Sequence, residues 1–213
     1  MEKLNDNINL LKRPGGFEIT TSAVSFCQFK PGAKILDIGC GRGATVRFLK
    51  NNFQLDAVGT DIEKYEHTCS ERIINAPADN LPFAMNSLDG IFMECSFSLM
   101  EDQELVLKES FRVLKKSGYL IMSDLYAKGL SMRLSGCASR ISTREEITEI
   151  LSQCGFEILQ FEDYTHQLRS MWAQQIMDMG TEAFYQSLGT DSATLKCAKC
   201  GYFQLIAIKS EES

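Results

Sequence analysis

The sequence predicts a doubly wound α/β fold, a mostly parallel sheet wrapped by helices on both faces. Three observations carry this. Apolar strand-like runs alternate with amphipathic helical stretches along most of the 213 residues, the pattern of successive βαβ units. The first run, Lys34 to Ile38, passes straight into glycines at 39, 41 and 43. The chain closes on two late strands, 156–161 and 202–208, which suggests an antiparallel edge, with a helical insertion before the last of them.

The elements follow in order. Residues 1–16 are polar and reach Pro14-Gly15-Gly16, so they read as a loose lead-in. A short helix over 20–29 is closed by Pro31-Gly32. After the strand at 34–38, Val46, Phe48 and Leu49 mark a helix over 44–49. A second strand, 56–60, ends at Asp61, and a weaker third covers 72–76. Asp, Asn and Pro make 78–83 a loop. A buried strand, 90–93, precedes an amphipathic helix over 101–114 with Leu105, Leu107, Phe111 and Leu114 on its apolar face. Lys115-Lys116 and Gly118 end that helix, and a fifth strand occupies 119–123. Thr143 and Glu146 stand at capping-box spacing and open a helix over 143–154. In the insertion at 165–188, Leu168, Met171, Trp172, Ile176 and Met179 give one apolar helical face, read either as a lid over a pocket or as an ordinary packed helix. The whole chain, 1–213, is expected to be one domain.

Composition bounds the function. The chain is 44% hydrophobic and 23% charged, ordinary for a globular protein. A net charge of -6 argues against a nucleic-acid partner, which needs clustered Lys and Arg. No run approaches a membrane span and residues 1–20 lack a signal peptide's apolar core, so a cytoplasmic location is expected. The eight cysteines then read as thiols, core residues or metal ligands rather than a disulfide framework.

Gly39, Gly41 and Gly43, with Cys40 between them, let a ligand approach the backbone closely, and the following helix offers free N–H groups. The run fits the loose G-x-G-x-x-[GA] template of dinucleotide sites, and Asp61 stands where an acid would meet a ribose hydroxyl. Asp37 separates the alternatives. A carboxylate two residues before the first glycine repels a pyrophosphate and attracts a cofactor with a cationic amino group. S-adenosylmethionine carries that ammonium, a sulfonium and no phosphate.

Here the chain resembles the class I S-adenosylmethionine-dependent methyltransferases, over roughly residues 30–210. Leu36-Asp37-Ile38-Gly39-Cys40-Gly41-Arg42-Gly43 resembles their first motif, and Gly59-Thr60-Asp61, followed by Ile62, their ribose-binding strand end. Ala78-Asp79-Asn80-Leu81-Pro82-Phe83 resembles their adenine-side loop, and Phe111 to Leu120 their connection into the fifth strand. The resemblance implies a Rossmann-like sheet of seven strands with the last antiparallel. It places Asp37, Gly39, Cys40 and Gly41 at the methionine portion, Asp61 and Ile62 at the ribose, and Asp79, Asn80 and Leu81 at the adenine.

The methyl acceptor is expected to be a small molecule. Glu94 ends the fourth strand, at the sheet edge where ligands bind in open parallel sheets, and reads as a base, an orienting group or a cofactor contact. His67 and His166 read either as bases or as solvated surface residues. Cys95, beside Glu94, and Cys137, in Ser135-Gly136-Cys137-Ala138, are acceptor-side candidates. Their placement partly resembles the arsenite methyltransferases and implies a soft acceptor, sulfur, selenium or arsenic. The alternative is a pair of buried core cysteines. Cys197 and Cys200 form a C-x-x-C followed by Gly201, half of a zinc knuckle, a redox pair or a plain turn. Two competing functions stand beside methyl transfer: a nicotinamide-dinucleotide oxidoreductase, and a non-catalytic module of the same fold or a zinc-binding one.

Overall fold

Alternating burial along the strands dictates the architecture. In the computed structural model, which describes residues 13–64, 72–133 and 140–210, consecutive apolar residues point to opposite faces of one sheet. Ile35, Phe92, Ile121 and Ile206 face one way and pack with Ala23, Val24, Val46 and Leu49. Leu36, Met93, Met122 and Leu205 face the other and pack with Leu107, Val113, Ile147 and Leu151. Strands buried on both faces need helices on both, which is why these runs are continuously apolar.

The elements are α1 (Gly16–Cys27), β1 (Lys34–Ile38), α2 (Ala44–Phe53), β2 (Asp56–Asp61), β3 (Ile73–Asn75), β4 (Leu88–Glu94), a single 3-10 turn (Phe97–Leu99), α3 (Gln103–Val113), β5 (Leu114–Ala127), β6 (Met132–Arg133), β7 (Arg140–Ile141), α4 (Arg144–Gln153), β8 (Phe156–Asp163), α5 (Thr165–Met179), α6 (Thr181–Leu188), α7 (Ser192–Ala198) and β9 (Cys200–Lys209). The seven-stranded sheet runs in the order β3-β2-β1-β4-β5-β9-β8. β9 is antiparallel to both of its neighbours, and the other described pairings in this sheet are parallel. Strand order reverses between β1 and β4, so the carboxyl ends of these two strands flank the crevice in which open α/β sheets bind ligands.

The expected elements are present, with instructive differences at their ends. α1 starts four residues early, because Ile19 is already buried and the turn at Gly15 and Gly16 launches the helix. Arg13, expected in a loose lead-in, is fixed under it. β5 begins at Leu114, which pairs with Leu88 ahead of a register shift in β4. The Thr143 and Glu146 capping box is formed in full. The insertion is three helices rather than one: Gly180 breaks it after α5, and α7 adds a third piece. Leu168, Phe184 and Leu188 are buried and Trp172 meets Phe184 edge to face, whereas Met177 and Met179 are exposed. No helix among the described residues is long and apolar enough to cross a membrane.

Candidate active site

A solvent-open cleft of about 280 Å³ lies at the carboxyl ends of β1, β2 and β4, near the lower end of the size range of small-molecule sites. Gly39, Gly41, Asp61, Ile62 and Cys95 line it, as expected, together with Thr60, Glu63, Ala76, Ala78, Ser96, Leu99 and Met100.

The glycine loop is fixed from below and behind. Gly39 adopts φ 71°, and a Cβ there would stand 2.5 Å from the Ser96 Cβ. Ser96 in turn donates from its hydroxyl to the Ile38 carbonyl at 2.7 Å. Asp61 reaches back across the loop: its Oδ2 accepts from the Gly41 N–H at 2.8 Å and its Oδ1 from the Glu63 N–H at 2.9 Å. Each carboxylate oxygen keeps a lone pair for a further donor. Cys40 does not face the cleft. Its sulfur sits over Gly59, where an added Cβ would come within 2.4 Å of it, so it is packing for the loop, and burial raises its thiol further from ionisation.

Asp37 is buried one residue before the end of β1. Among the described residues its carboxylate accepts no hydrogen bond. Burial, then the charge of Glu94, push it well above the usual carboxylate range, while Arg13 pulls the other way. An acid in this state favours a cation brought alongside it.

The cation already present is Arg13. It forms an ion pair with Glu94 and donates to the Thr20 hydroxyl at 2.7 Å and to the Thr45 hydroxyl at 3.1 Å. Glu94 accepts in addition from Thr20 at 2.8 Å and from Thr45 at 3.0 Å. Both oxygens of Glu94 are thus engaged. The expectation of a free base at 94 is corrected: the residue ties α1, α2 and the segment before α1 to the end of β4. Nothing in the sequence marks Arg13, since it lies in a polar stretch with no periodicity.

Cys95 follows in the left-handed region, with φ 56°. Its sulfur lies 3.0 Å from the Tyr202 hydroxyl, which donates to Ser123 at 3.3 Å. Burial and the charge of Asp124 push the Cys95 thiol up to about 12. A thiol held protonated in this way is a poor ligand for a soft ion, which binds thiolate. Cys137, His67 and Cys69 lie outside the described residues. Tyr202, missed in the sequence, joins Ile19, Leu168, Tyr164, Met171, Trp172 and Cys95 in one apolar cluster, so the inner face of α5 packs beside Cys95. His166 is exposed at the start of α5.

On the far wall the loop differs from expectation. Asp79 and Asn80 are exposed at the rim. Leu81 points into the core, its N–H is donated to Glu109 and its carbonyl accepts from Arg112, so it anchors the loop rather than touching the cleft.

The cysteine pair near the end lies away from the glycine loop in sequence, on α7 and β9. Cys197 is exposed on α7 and Cys200 is half-buried at the start of β9, with Lys199 at φ 49° turning the chain between them. Among the described residues no group of three or more His, Cys, Asp or Glu side chains gathers around a metal position. The two thiols flank the turn into the last strand.

Residues 36–122 match the family model described as a methyltransferase domain. Over this span the chain is similar to the methyltransferase domains, in line with the resemblance read from its motifs. The span of the match runs from β1 into β5 and contains the whole cleft floor. The match favours S-adenosylmethionine, the cofactor of that family, over a dinucleotide. Among curated relatives, the domain is 25% identical to a phosphoethanolamine N-methyltransferase of Triticum aestivum, over 73% of this chain and 31% of that protein. It is 24% identical to a sarcosine/dimethylglycine N-methyltransferase of Halorhodospira halochloris, over 66% of this chain and 57% of that protein. The chain spans about a third of the length of the curated relatives first matched. The solved structure of a Haemonchus contortus phosphoethanolamine N-methyltransferase in complex with S-adenosyl-L-methionine superposes with a TM-score of 0.74 at 18% identity, covering 93% of this chain and 54% of that one. The [4+2]-cyclase SpnF does so with 0.71 at 24% identity, covering 91% and 80%; the fold therefore does not by itself name a reaction. The two curated relatives named here are N-methyltransferases.

Proposed function

We propose that this chain transfers a methyl group from S-adenosylmethionine to the nitrogen of a small amine. One observation carries the cofactor assignment. Asp37 is a buried acid beside the glycine loop, with its charge disfavoured and its carboxylate accepting no hydrogen bond among the described residues. Such a group suits an ammonium, beside which its ionised form is favoured, and a pyrophosphate offers it no such gain.

Bound in the cleft, S-adenosylmethionine supplies an electrophilic methyl group on a sulfonium. The chain's own residues do the rest. Asp37 holds the ammonium. The free lone pairs of Asp61 take the ribose hydroxyls. Ile62 and Leu99, both exposed apolar side chains on the cleft wall, cover the base, with Asp79 and Asn80 at its polar rim. Glu94 keeps Arg13 and the two helix starts in place behind the methionine end.

The acceptor side is the wall formed by Cys95 and Tyr202, and α5 is the lid that excludes water from it. Methyl transfer to an uncharged amine needs mainly a lone pair in line with the methyl group, so proximity and orientation dominate. The absence of a free base at Glu94 therefore fits a nitrogen acceptor better than an alcohol. The names of the phosphoethanolamine and sarcosine/dimethylglycine N-methyltransferases among the relatives support nitrogen as well.

The test is a transfer assay with methyl-labelled S-adenosylmethionine against phosphoethanolamine, sarcosine, dimethylglycine, small alcohols and arsenite. The expected result is label in an amine. Label in arsenite or an alcohol, with none in any amine, would overturn the acceptor assignment.

A further inference from the structure

We infer that Glu109 and Arg112 of α3, which lie outside the cleft, position the loop forming its adenine-side wall and thereby set the affinity for the nucleoside half of the cofactor. This rests on the cofactor reading above.

β3 ends at Asn75, and the chain then leaves the sheet. Ala76 and Ala78 line the cleft immediately afterwards. A loop outside the sheet has no ladder to satisfy its backbone, so its N–H and C=O groups need other partners. Here one ion pair supplies them. Glu109 Oε2 accepts from the Leu81 N–H at 2.9 Å. Arg112 donates to the Leu81 carbonyl at 3.1 Å and to the Phe83 carbonyl at 2.9 Å. The two side chains meet at 2.7 Å and 2.9 Å in a two-point fork.

Both backbone groups of Leu81 are thus held by one charged pair, while the Leu81 side chain is sunk in the core at 3% exposure. Charge-assisted, forked contacts are the stronger class of hydrogen bond and fix direction as well as distance. The pair sits on α3, whose Leu107 and Val113 are buried against the sheet, so the wall is referenced to the rigid core. Arg112 is the arginine of the Phe111-Arg112-Val113-Leu114 run, to which the cleft itself assigns no role.

The experiment is calorimetric titration of the full chain with S-adenosylhomocysteine and, separately, with adenosine, for wild type, E109A, R112A, E109Q and D37N. Removing a charged hydrogen bond to the wall should weaken both ligands about tenfold in E109A and R112A. E109Q keeps an acceptor for the Leu81 N–H and should recover part of that loss. D37N, which acts at the ammonium end, should weaken S-adenosylhomocysteine and leave adenosine unchanged. Unchanged binding in E109A and R112A overturns the inference while leaving the cofactor reading intact. Weakened S-adenosylhomocysteine with unchanged adenosine also overturns it, by removing the pair from the nucleoside half. Wild type that binds neither ligand overturns the cofactor reading and the inference together. If E109A does not fold, E109Q carries the test: an affinity equal to wild type for both ligands then counts against the pair.

Discussion

Arg13 and Glu94, 81 residues apart, form an ion pair with side-chain exposures of 9% and 2%. It joins the segment before α1 to the end of β4, and the hydroxyls of Thr20 and Thr45 complete it. Burial works against the charge of Arg13, and Glu94 together with the other groups around it, Asp37 among them, more than offsets this. Removing one member strands the other in the core. R13M should therefore destabilise the protein by about 3–5 kcal/mol in urea unfolding. R13M/E94Q should be less destabilised than R13M. A double variant no better than the single one would show that the residues do not act as a pair.

Asp37 gives a pH dependence with a definite sign. Its native pKa lies above the unfolded value, so the native state binds the extra proton, and stability is lost as pH rises through the interval between the two. Binding an ammonium favours the ionised form, so cofactor binding releases a proton and tightens with rising pH until the raised pKa is passed. D37N should remove this dependence, raise stability at neutral pH and weaken S-adenosylhomocysteine. Calorimetry in buffers of different ionisation enthalpy measures the proton release. A pH-independent affinity in wild type would contradict the assignment.

Gly39 is constrained twice, by its φ of 71° and by the Ser96 side chain. G39A should cost more than about 1 kcal/mol and deform the loop. G39A/S96G removes the contact but not the backbone strain, so it should restore only part of the stability. Full restoration in thermal unfolding would mean that the steric contact alone matters.

The cysteines should differ sharply in reactivity. Cys197 is exposed, whereas Cys95 is tied to Tyr202 and pushed up to about 12. Brief alkylation at pH 8 followed by peptide mapping should label Cys197 and spare Cys95. Equal labelling of the two would mean that Cys95 is ionised, and would revive the soft-acceptor reading.

The sheet was legible because its strands are short apolar runs buried on both faces, a pattern set by local sequence. β1 matches its expected bounds for that reason, as does the position of Asp61 at the end of β2. The capping box at Thr143 was legible because it is a contact between residues three apart. What escaped depends on tertiary contacts. Arg13 has no local signature, and its burial is decided by Glu94, Thr20 and Thr45. Leu81 stands in the right loop, but whether its backbone faces the ligand or the scaffold is settled by Glu109 and Arg112 on a later helix. Tyr202 looked like an ordinary strand aromatic until β9 was placed between β5 and β8, beside Cys95. The thiol spacing of Cys197 and Cys200 suggested metal, but the partners a metal needs are set by the fold rather than by the pair.

The central claim is that the cleft at the glycine loop holds S-adenosylmethionine. Its most direct test is calorimetric titration of the purified chain with S-adenosylhomocysteine, with NADH titrated under identical conditions. One molecule of S-adenosylhomocysteine should bind per chain, with no heat of binding from NADH. Binding of NADH without binding of S-adenosylhomocysteine would contradict it.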